Sequence, residues 1–313
     1  MNKKLLDIEF LIIGAQKAGT STLHDWLKLE KKICLPRWKE THFFSDNAKY
    51  DRGFEWYIKQ FEEKKSEDYI LGEIDPEYLY CRNAPQRIEA QSRVNKFIAI
   101  LREPISRAYS HYRMSVSRGF EKLSFQDAIE TEGERLRDMG QFASDHFSYL
   151  DRSYYSPQIK LFQSHFPDAQ FLFIKFDDFI DPKKTMEVRR AICDFIGVDF
   201  SYQLRATLNA SNQAYEPRSA WLRDVIYETG MRHPMRSFLG RFLSEDFKMW
   251  LATCVDELNR KPLSGSQKDK FVDFYITEEI RTSLMADIKE VELLTGLNLS
   301  NWEDLVSRKI RHI

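Results

Sequence analysis

One stretch near the start of this chain restricts its fold more than any other. The apolar run Phe10-Leu11-Ile12-Ile13 leads into Gly14-Ala15-Gln16-Lys17-Ala18-Gly19-Thr20-Ser21, and Leu23, Trp26 and Leu27 follow at helical spacing. Strand, glycine-bounded loop and helix start, in that order, build a cradle for an anion. Backbone N–H groups and the positive end of the helix dipole converge on one point there. The spacing is that of a Walker A loop, which places Lys directly after its second Gly to reach the β- and γ-phosphates of a nucleotide. Here Thr20 holds that place and the lysine has moved inside the loop as Lys17. The loop suits a phosphate and fits a magnesium–triphosphate poorly, so the expected ligand is a nucleotide other than ATP or GTP.

Two further stretches give this loop a family likeness. Leu101-Arg102-Glu103-Pro104-Ile105-Ser106-Arg107-Ala108-Tyr109-Ser110 reads as a strand ending in Arg, with a Ser eight residues on, and Lys39-Glu40-Thr41-His42-Phe43-Phe44 lies between the two. Together the three resemble sulfotransferases that use 3′-phosphoadenosine 5′-phosphosulfate. The first resembles their 5′-phosphosulfate loop, the second their 3′-phosphate motif, and the third the KExHFF stretch of the heparan sulfate 3-O- and N-sulfotransferases. The motifs lie in residues 10–110, a looser likeness runs to about residue 200, and the C-terminal third is less covered. Bacterial sulfotransferases share the same outline, and the closing segment Leu293–Trp302 resembles theirs.

Composition narrows the remaining classes. The chain has 313 residues, 42% hydrophobic and 14% aromatic, enough for a substantial core. Lys+Arg 47 against Asp+Glu 48 leaves a formal charge of −1, which argues against a nucleic-acid binder while leaving room for a local basic pocket. Cys34, Cys81, Cys193 and Cys254 are scattered without CxxC spacing and read as reduced thiols, neither a zinc site nor a disulfide framework. Asp7 and Glu9 interrupt any signal-peptide core, and no apolar run approaches the roughly 18 residues of a membrane span. The expectation is a cytoplasmic protein with no membrane span and no metal.

Short apolar runs predict strands at Phe10–Ile13, Tyr69–Gly72, Phe97–Leu101 and Phe171–Phe176, with Ile33–Leu35 as a further short one. Helical patterns alternate with them, which predicts an α/β fold: a P-loop-like, mainly parallel sheet of about five strands flanked by helices. Pro104 to Arg118 reads as a helix with Ile105, Ala108, Tyr109, Tyr112 and Val116 as its buried stripe, and Arg107 as a surface charge. Lys183–Phe195 reads as another, led in by Asp181-Pro182 and stopped by Gly197. Residues 8–200 then form the nucleotide-binding core and 219–313 a helical C-terminal portion of a single domain. Ser264-Gly265-Ser266 is the best internal linker, too short to mark a boundary.

Candidate chemistry follows from these placements. A sulfuryl group leaving a phosphosulfate deposits charge on the bridging oxygen, and Lys17 in the cradle can neutralise that charge as it develops. Gly14 and Gly19 give the loop close approach. Gln16, Ala18, Gly19, Thr20, Ser21 and Thr22 offer amides or hydroxyls to the 5′-phosphate, although Ser21 and Thr22 also suit plain helix capping. Arg102, where a strand ends and a helix begins, offers a bidentate fork for the 3′-phosphate, and Ser110 adds a hydroxyl. The resemblance assigns both that role. It makes Glu40 the general base that deprotonates the acceptor, with His42 as rival base and Lys39 steadying the sulfate or Glu40.

In Gly72-Glu73-Ile74-Asp75-Pro76-Glu77-Tyr78, which corresponds to E-K-[ST]-P-x-Y of the glycan enzymes, Ile74 replaces the lysine and Asp75 the hydroxyl residue. That change tilts the acceptor away from a polyanion. Glu73 or Asp75 becomes a candidate acceptor contact, the alternative being a turn acid before Pro76. Tyr154, in Arg152-Ser153-Tyr154-Tyr155, is a candidate surface for stacking on a sugar, with Tyr155 read as core. Arg218 in the polar loop 209–219 is a candidate hand over the donor's 3′-phosphate and adenine. The stretch Ser219–Lys261, with Trp221, Met231, Met235, Phe238, Phe242, Phe247, Met249 and Trp250, is a candidate lid or homodimer face against a default of packed core.

The expected activity is transfer of a sulfuryl group to a hydroxyl or amine of a carbohydrate or glycolipid, or of a small natural product. Two rivals stay open: a P-loop kinase of a small molecule, opposed by Thr20 and by the lack of a clear metal-holding acid, and a non-catalytic nucleotide-binding protein.

Overall fold

A computed structural model describes residues 8–64, 69–200, 215–219, 222–223, 254–255, 258–262, 273–307 and 310–312. The apolar runs become parallel strands: β1 (Phe10–Gly14), β2 (Ile33–Cys34), β3 (Ile70–Ile74), β4 (Lys96–Leu101) and β5 (Gln170–Lys175), in the spatial order β2-β3-β1-β4-β5. The order explains the composition of each strand. β1 and β4 are central and covered on both faces, so they carry unbroken apolar sequence, with Phe10, Leu11, Ile12, Phe97, Ile98, Ile100 and Leu101 all at 0% exposure. Each such side chain contributes about 1.5–3 kcal/mol of burial. β5 lies at an edge and begins with the exposed Gln170.

The same order positions the site. From the adjacent strands β1 and β4 the chain departs in opposite directions, to β2 and β3 on one side and to β5 on the other. Ligands of open α/β sheets bind outside the carboxyl ends of strands at such a switch point. The loop after Gly14, Arg102 after β4 and Asp75 after β3 all stand on that carboxyl edge.

Contacts group the chain into two compact units. Met1–Arg107, Arg152–Asn212 and Ile276–Lys309 form the unit that holds the parallel sheet. Ala108–Asp151, Gln213–Tyr275 and Ile310–Ile313 form the second. In the second unit the buried Glu121 accepts from Arg135 Nη1 at 2.7 Å, from the Tyr149 hydroxyl at 2.8 Å and from the backbone N–H groups of Lys122 and Leu123. A buried carboxylate with four donors is a satisfied one. This unit also carries two antiparallel ribbons, β6 (Tyr215–Pro217) with β7 (Arg260–Pro262), and β8 (Asp273–Tyr275) with β9 (Ile310–His312).

Several details differ from the sequence expectation. The helix Pro104–Ser117 is present, but its buried residues are Pro104, Ile105, Arg107, Ala108, His111 and Ser115, while Val116 is 40% exposed. Arg107 is no surface charge: it is fully buried and donates from Nε to Ser153 Oγ at 2.7 Å. The helix expected at Lys183 begins at Thr185, because Asp181 first makes a turn, its carboxylate taking the N–H of Lys183 at 2.9 Å. Gly197, in the left-handed region at φ 99°, does end it. In the C-terminal third, Glu278–Thr295 and Ser300–Val306 are helices, and the ribbons add strands, including Tyr215–Pro217, where the sequence reads as loop. Ser264, Gly265 and Ser266, and the large apolar residues named between 221 and 250, lie outside the described residues. Among the described residues no helix is long and apolar enough to cross a membrane.

Candidate active site

The loop after β1 is built for close approach. A Cβ on Gly14 would stand 2.6 Å from Leu79 Cδ2. Gly19 has φ +85°, and a Cβ there would meet the Phe176 ring at 3.1 Å and the Phe179 ring at 3.2 Å, so only glycine fits. Gly19 is also the N-cap of α1 (Thr20–Leu27), and no side chain caps that helix. Its first amides therefore lack the usual Ser or Asp partner, which leaves the dipole end facing the loop. Thr20 is buried, and Gln16, Ser21 and Thr22 are half-buried around it. Ala18 is 0% exposed, so its contribution is restricted to the backbone.

Arg102 completes this cradle. Its Nη1 donates to the Lys17 carbonyl at 3.0 Å, and its guanidinium lies over the Phe176 ring at 4.7 Å. The Tyr155 hydroxyl braces its backbone, donating to the Arg102 carbonyl at 2.8 Å. Partial burial lowers the proton affinity of Arg102, the mark of a cation partly stripped of water. A guanidinium held this way is preorganised for an anion.

Backbone strain singles out three residues. Among the described residues the non-glycine positions with positive φ are Lys17 at 73°, Glu40 at 60° and His42 at 54°. These are the same three side chains for which the sequence suggests catalysis. Each such conformation costs on the order of 1–3 kcal/mol and persists only where the surroundings over-determine it. For Lys17 the determinant is Arg102. For Glu40 and His42 it is a clamp of buried carboxylates.

The clamp comes from the end of β3. Glu73, 0% exposed, accepts from the Thr41 backbone N–H at 3.2 Å and from the Thr41 hydroxyl. Its other oxygen accepts from the hydroxyls of Tyr57 at 2.6 Å and Tyr78 at 3.0 Å. Asp75, also 0% exposed, accepts from the His42 backbone N–H at 2.7 Å and lies 3.1 Å from His42 Nδ1. Phe43 and Phe44 anchor the far side, Phe43 stacked on Tyr57 with centroids 4.6 Å apart and Phe44 edge-on to Tyr78 at 5.5 Å. Neither Glu73 nor Asp75 is open to an acceptor, which corrects their reading as acceptor contacts. They hold the strained segment in place.

Charge alternates along the segment. Lys39 Nζ donates to Ser21 Oγ at 2.9 Å and to Glu40, so it ties the loop to the candidate base. His42 Nε2 lies 4.0 Å from Glu40 Oε2. Burial works to lower the proton affinity of His42, but the Asp75 carboxylate, with Glu40 behind it, overrides burial and raises it to about 9. The Asp75 carboxylate thus favours the protonated ring of His42, which argues for Glu40 over His42 as the base. Burial, and then the charge of Asp75, push the Glu73 carboxyl upward.

The remaining candidates are placed as follows. Ser110 is half-buried on the helix Pro104–Ser117, within the second unit. Arg218, also in the second unit, is exposed just after β6, its N–H bonded to the Asn259 carbonyl at 2.7 Å. Tyr154 is half-buried and caps the helix Tyr155–His165, with its carbonyl taken by Gln158. Tyr155 is core, as its sequence context suggests. Thr41, Tyr57, Tyr78 and Phe176 have no role in the sequence expectations. Thr41 and Tyr78 sit inside the two motifs and were available as polar groups at core spacing, whereas nothing local marks Tyr57 or Phe176. Among the described residues no group of three or more His, Cys, Asp or Glu could hold a metal ion.

A family model described as "Sulfotransferase domain" matches residues 7–267. Heparan sulfate glucosamine 3-O-sulfotransferase 3A1 of Mus musculus is 31% identical over 194 residues, 60% of this chain and 45% of that protein. Bifunctional heparan sulfate N-deacetylase/N-sulfotransferase 4 of Mus musculus is 28% identical over 221 residues, 66% of this chain and 24% of that protein. The chain thus spans half or less of the length of these curated relatives. In fold it is similar to a sulfotransferase from Alicyclobacillus acidocaldarius, at a TM-score of 0.62 and 23% identity, covering 95% of this chain and 99% of that one.

Proposed function

Because this chain belongs to the sulfotransferase domain family, we propose that it moves a sulfuryl group from 3′-phosphoadenosine 5′-phosphosulfate to an acceptor hydroxyl or amine. The observation that carries the reading is the strained trio: Lys17, Glu40 and His42 are held at positive φ by Arg102, Glu73 and Asp75, an expense that packing alone does not require. The donor supplies an activated sulfuryl group on a phosphosulfate. The residues present fit such a ligand, since the uncapped start of α1, the bare Gly19 and the partly desolvated Arg102 are all suited to phosphate.

In this reading the amides and hydroxyls of Gln16, Ala18, Gly19, Thr20, Ser21 and Thr22 bind the 5′ end, and Arg102 with Ser110 the 3′-phosphate. Arg218 is assigned to the same nucleotide. Lys17 neutralises the charge that develops on the leaving oxygen. Glu40 takes the acceptor's proton as attack proceeds. Lys39 links Ser21 to Glu40, so the donor loop and the base are registered against each other. Tyr154 remains the candidate acceptor surface. In-line transfer needs positioning rather than a covalent enzyme intermediate.

For the acceptor we favour a carbohydrate or glycolipid, supported by the likeness to glycan-modifying relatives. One observation favours a small-molecule acceptor instead. The lysine of the glycan motif is replaced by Ile74, which is 2% exposed within β3. An acceptor screen with isotope-labelled donor, with Glu40→Gln as control, tests both. Label transferred by the wild-type chain and lost in the variant is the expected result. Equal transfer by both removes Glu40 from the reaction.

A further inference from the structure

Asp75 is spent on a neighbour, and the geometry suggests why. The carboxylate is fully buried after β3. One oxygen serves His42 twice, at 2.7 Å from its backbone N–H and 3.1 Å from Nδ1. The other accepts from the Glu77 N–H at 3.1 Å, which fixes the carboxylate plane in its turn. The imidazole between them has its second nitrogen 4.0 Å from Glu40. We propose that Asp75 is a positioning residue of the transfer reaction, acting through His42: it fixes the backbone and the ring of that residue so that Nε2 faces the Glu40 carboxylate. The inference rests on Glu40 being the base.

The physical consequence is a three-group unit, Asp75–His42–Glu40. With Nδ1 directed at Asp75, the ring can carry a second proton on Nε2 beside Glu40. That cation faces the Glu40 carboxylate across 4.0 Å and restrains its rotamer toward the acceptor. The charged groups around His42 are Asp75 from the end of β3, Glu40 from its own segment and Lys49 from the short helix Asn47–Tyr50; the last opposes protonation and is outweighed. The motif of the glycan enzymes has a hydroxyl residue at the Asp75 position, so the sequence departs from the pattern at the atom that makes this contact.

Four forms of the full chain test it: wild type, Asp75→Asn, His42→Gln and the double variant. Asn keeps an acceptor for the His42 N–H and removes the charge. The readouts are the His42 imidazole nitrogen shifts against pH, and the rate of donor consumption against pH with water in the acceptor's place. Affinity for adenosine 3′,5′-bisphosphate reports that the cradle is intact. Wild type should keep a protonated His42 at pH 8, and its rate should fall only as pH rises toward about 9. In Asp75→Asn the ring should titrate closer to the usual 6.5. The rate should then drop about tenfold at pH 8, match wild type near pH 5.5, and leave bisphosphate binding unchanged.

In the His42→Gln background Asp75→Asn should change little, since Asp75 then has no ring to orient. A uniform loss at every pH, or the same loss with His42 already replaced, overturns the proposal and leaves Asp75 merely structural. If Asp75→Asn does not fold, the wild-type spectrum decides, because a neutral His42 ring at pH 7.5 overturns it. Failure of the underlying reading looks different: wild type and Glu40→Gln would then consume donor equally at every pH.

Discussion

Replacing Glu73 with Ala tests how the strained segment is held. The carboxylate serves the hydroxyls of Tyr57 and Tyr78 and the backbone and hydroxyl of Thr41, residues 0%, 0% and 4% exposed, so none of them can turn to water. Four buried donors left without that acceptor, at about 1–1.5 kcal/mol each, cost about 5 kcal/mol. Once Thr41 is released, Glu40 beside it can leave the left-handed region and recover about 2 kcal/mol of strain, while Asp75 still holds His42. The net loss is about 3 kcal/mol, a large part of the 5–15 kcal/mol that typically stabilises a folded chain. Glu73→Gln keeps one acceptor for Thr41 and turns an amide donor toward two hydroxyls able to accept, so its cost should be about 1 kcal/mol. Equilibrium urea unfolding measures both variants, and donor consumption measures the base. Glu73→Ala should lose on the order of a hundredfold in rate as Glu40 drifts, while bisphosphate affinity, set by the other loop, changes little. A Glu73→Ala chain as stable as wild type and equally active would refute the clamp.

Other consequences follow from the same contacts. Lys17→Ala should lower kcat by about 10²–10³ while changing donor affinity far less; unchanged kcat at unchanged affinity would remove Lys17 from the transfer. Gly19→Ala should destabilise the chain by about 1–2 kcal/mol and weaken bisphosphate binding, because φ +85° and the rings of Phe176 and Phe179 both oppose a Cβ, and a neutral result in a thermal melt contradicts this. The stability contributed by His42 and Glu73 should fall as pH rises. His42 holds its proton more tightly folded, so its contribution is complete below 6.5 and disappears as pH climbs through about 9. Glu73, raised above 4.5, likewise loses stability above that value as the carboxyl ionises in its buried site. The melting-temperature advantage of wild type over Glu73→Gln, and over His42→Gln, should shrink across pH 4–10, and an advantage that grows with pH contradicts the assignment concerned.

The fold was legible where one residue's neighbours in sequence decide its environment. β1 and β4 are doubly covered, so their unbroken apolar runs announce them. The cradle was legible for the same reason, since its glycines, lysine and helix start are contiguous. What the sequence could not disclose depends on partners far along the chain. Arg107 looks like a surface charge until Ser153 arrives to take its Nε. Glu73 and Asp75 look like acceptor contacts until Thr41 and His42 are seen to consume their oxygens. Tyr57, sixteen residues from Glu73, carries no local sign of its role. Type and spacing mark the three strained residues in the sequence, but the strain itself appears only in the backbone angles.

Calorimetric titration of the full chain with adenosine 3′,5′-bisphosphate, against ATP with magnesium and with Arg102→Ala as control, tests the central claim most directly. The bisphosphate should bind, Arg102→Ala should weaken it by tenfold or more, and the magnesium–triphosphate should bind at least a hundredfold less well. Tighter binding of the magnesium–triphosphate, or bisphosphate binding indifferent to Arg102, would contradict it.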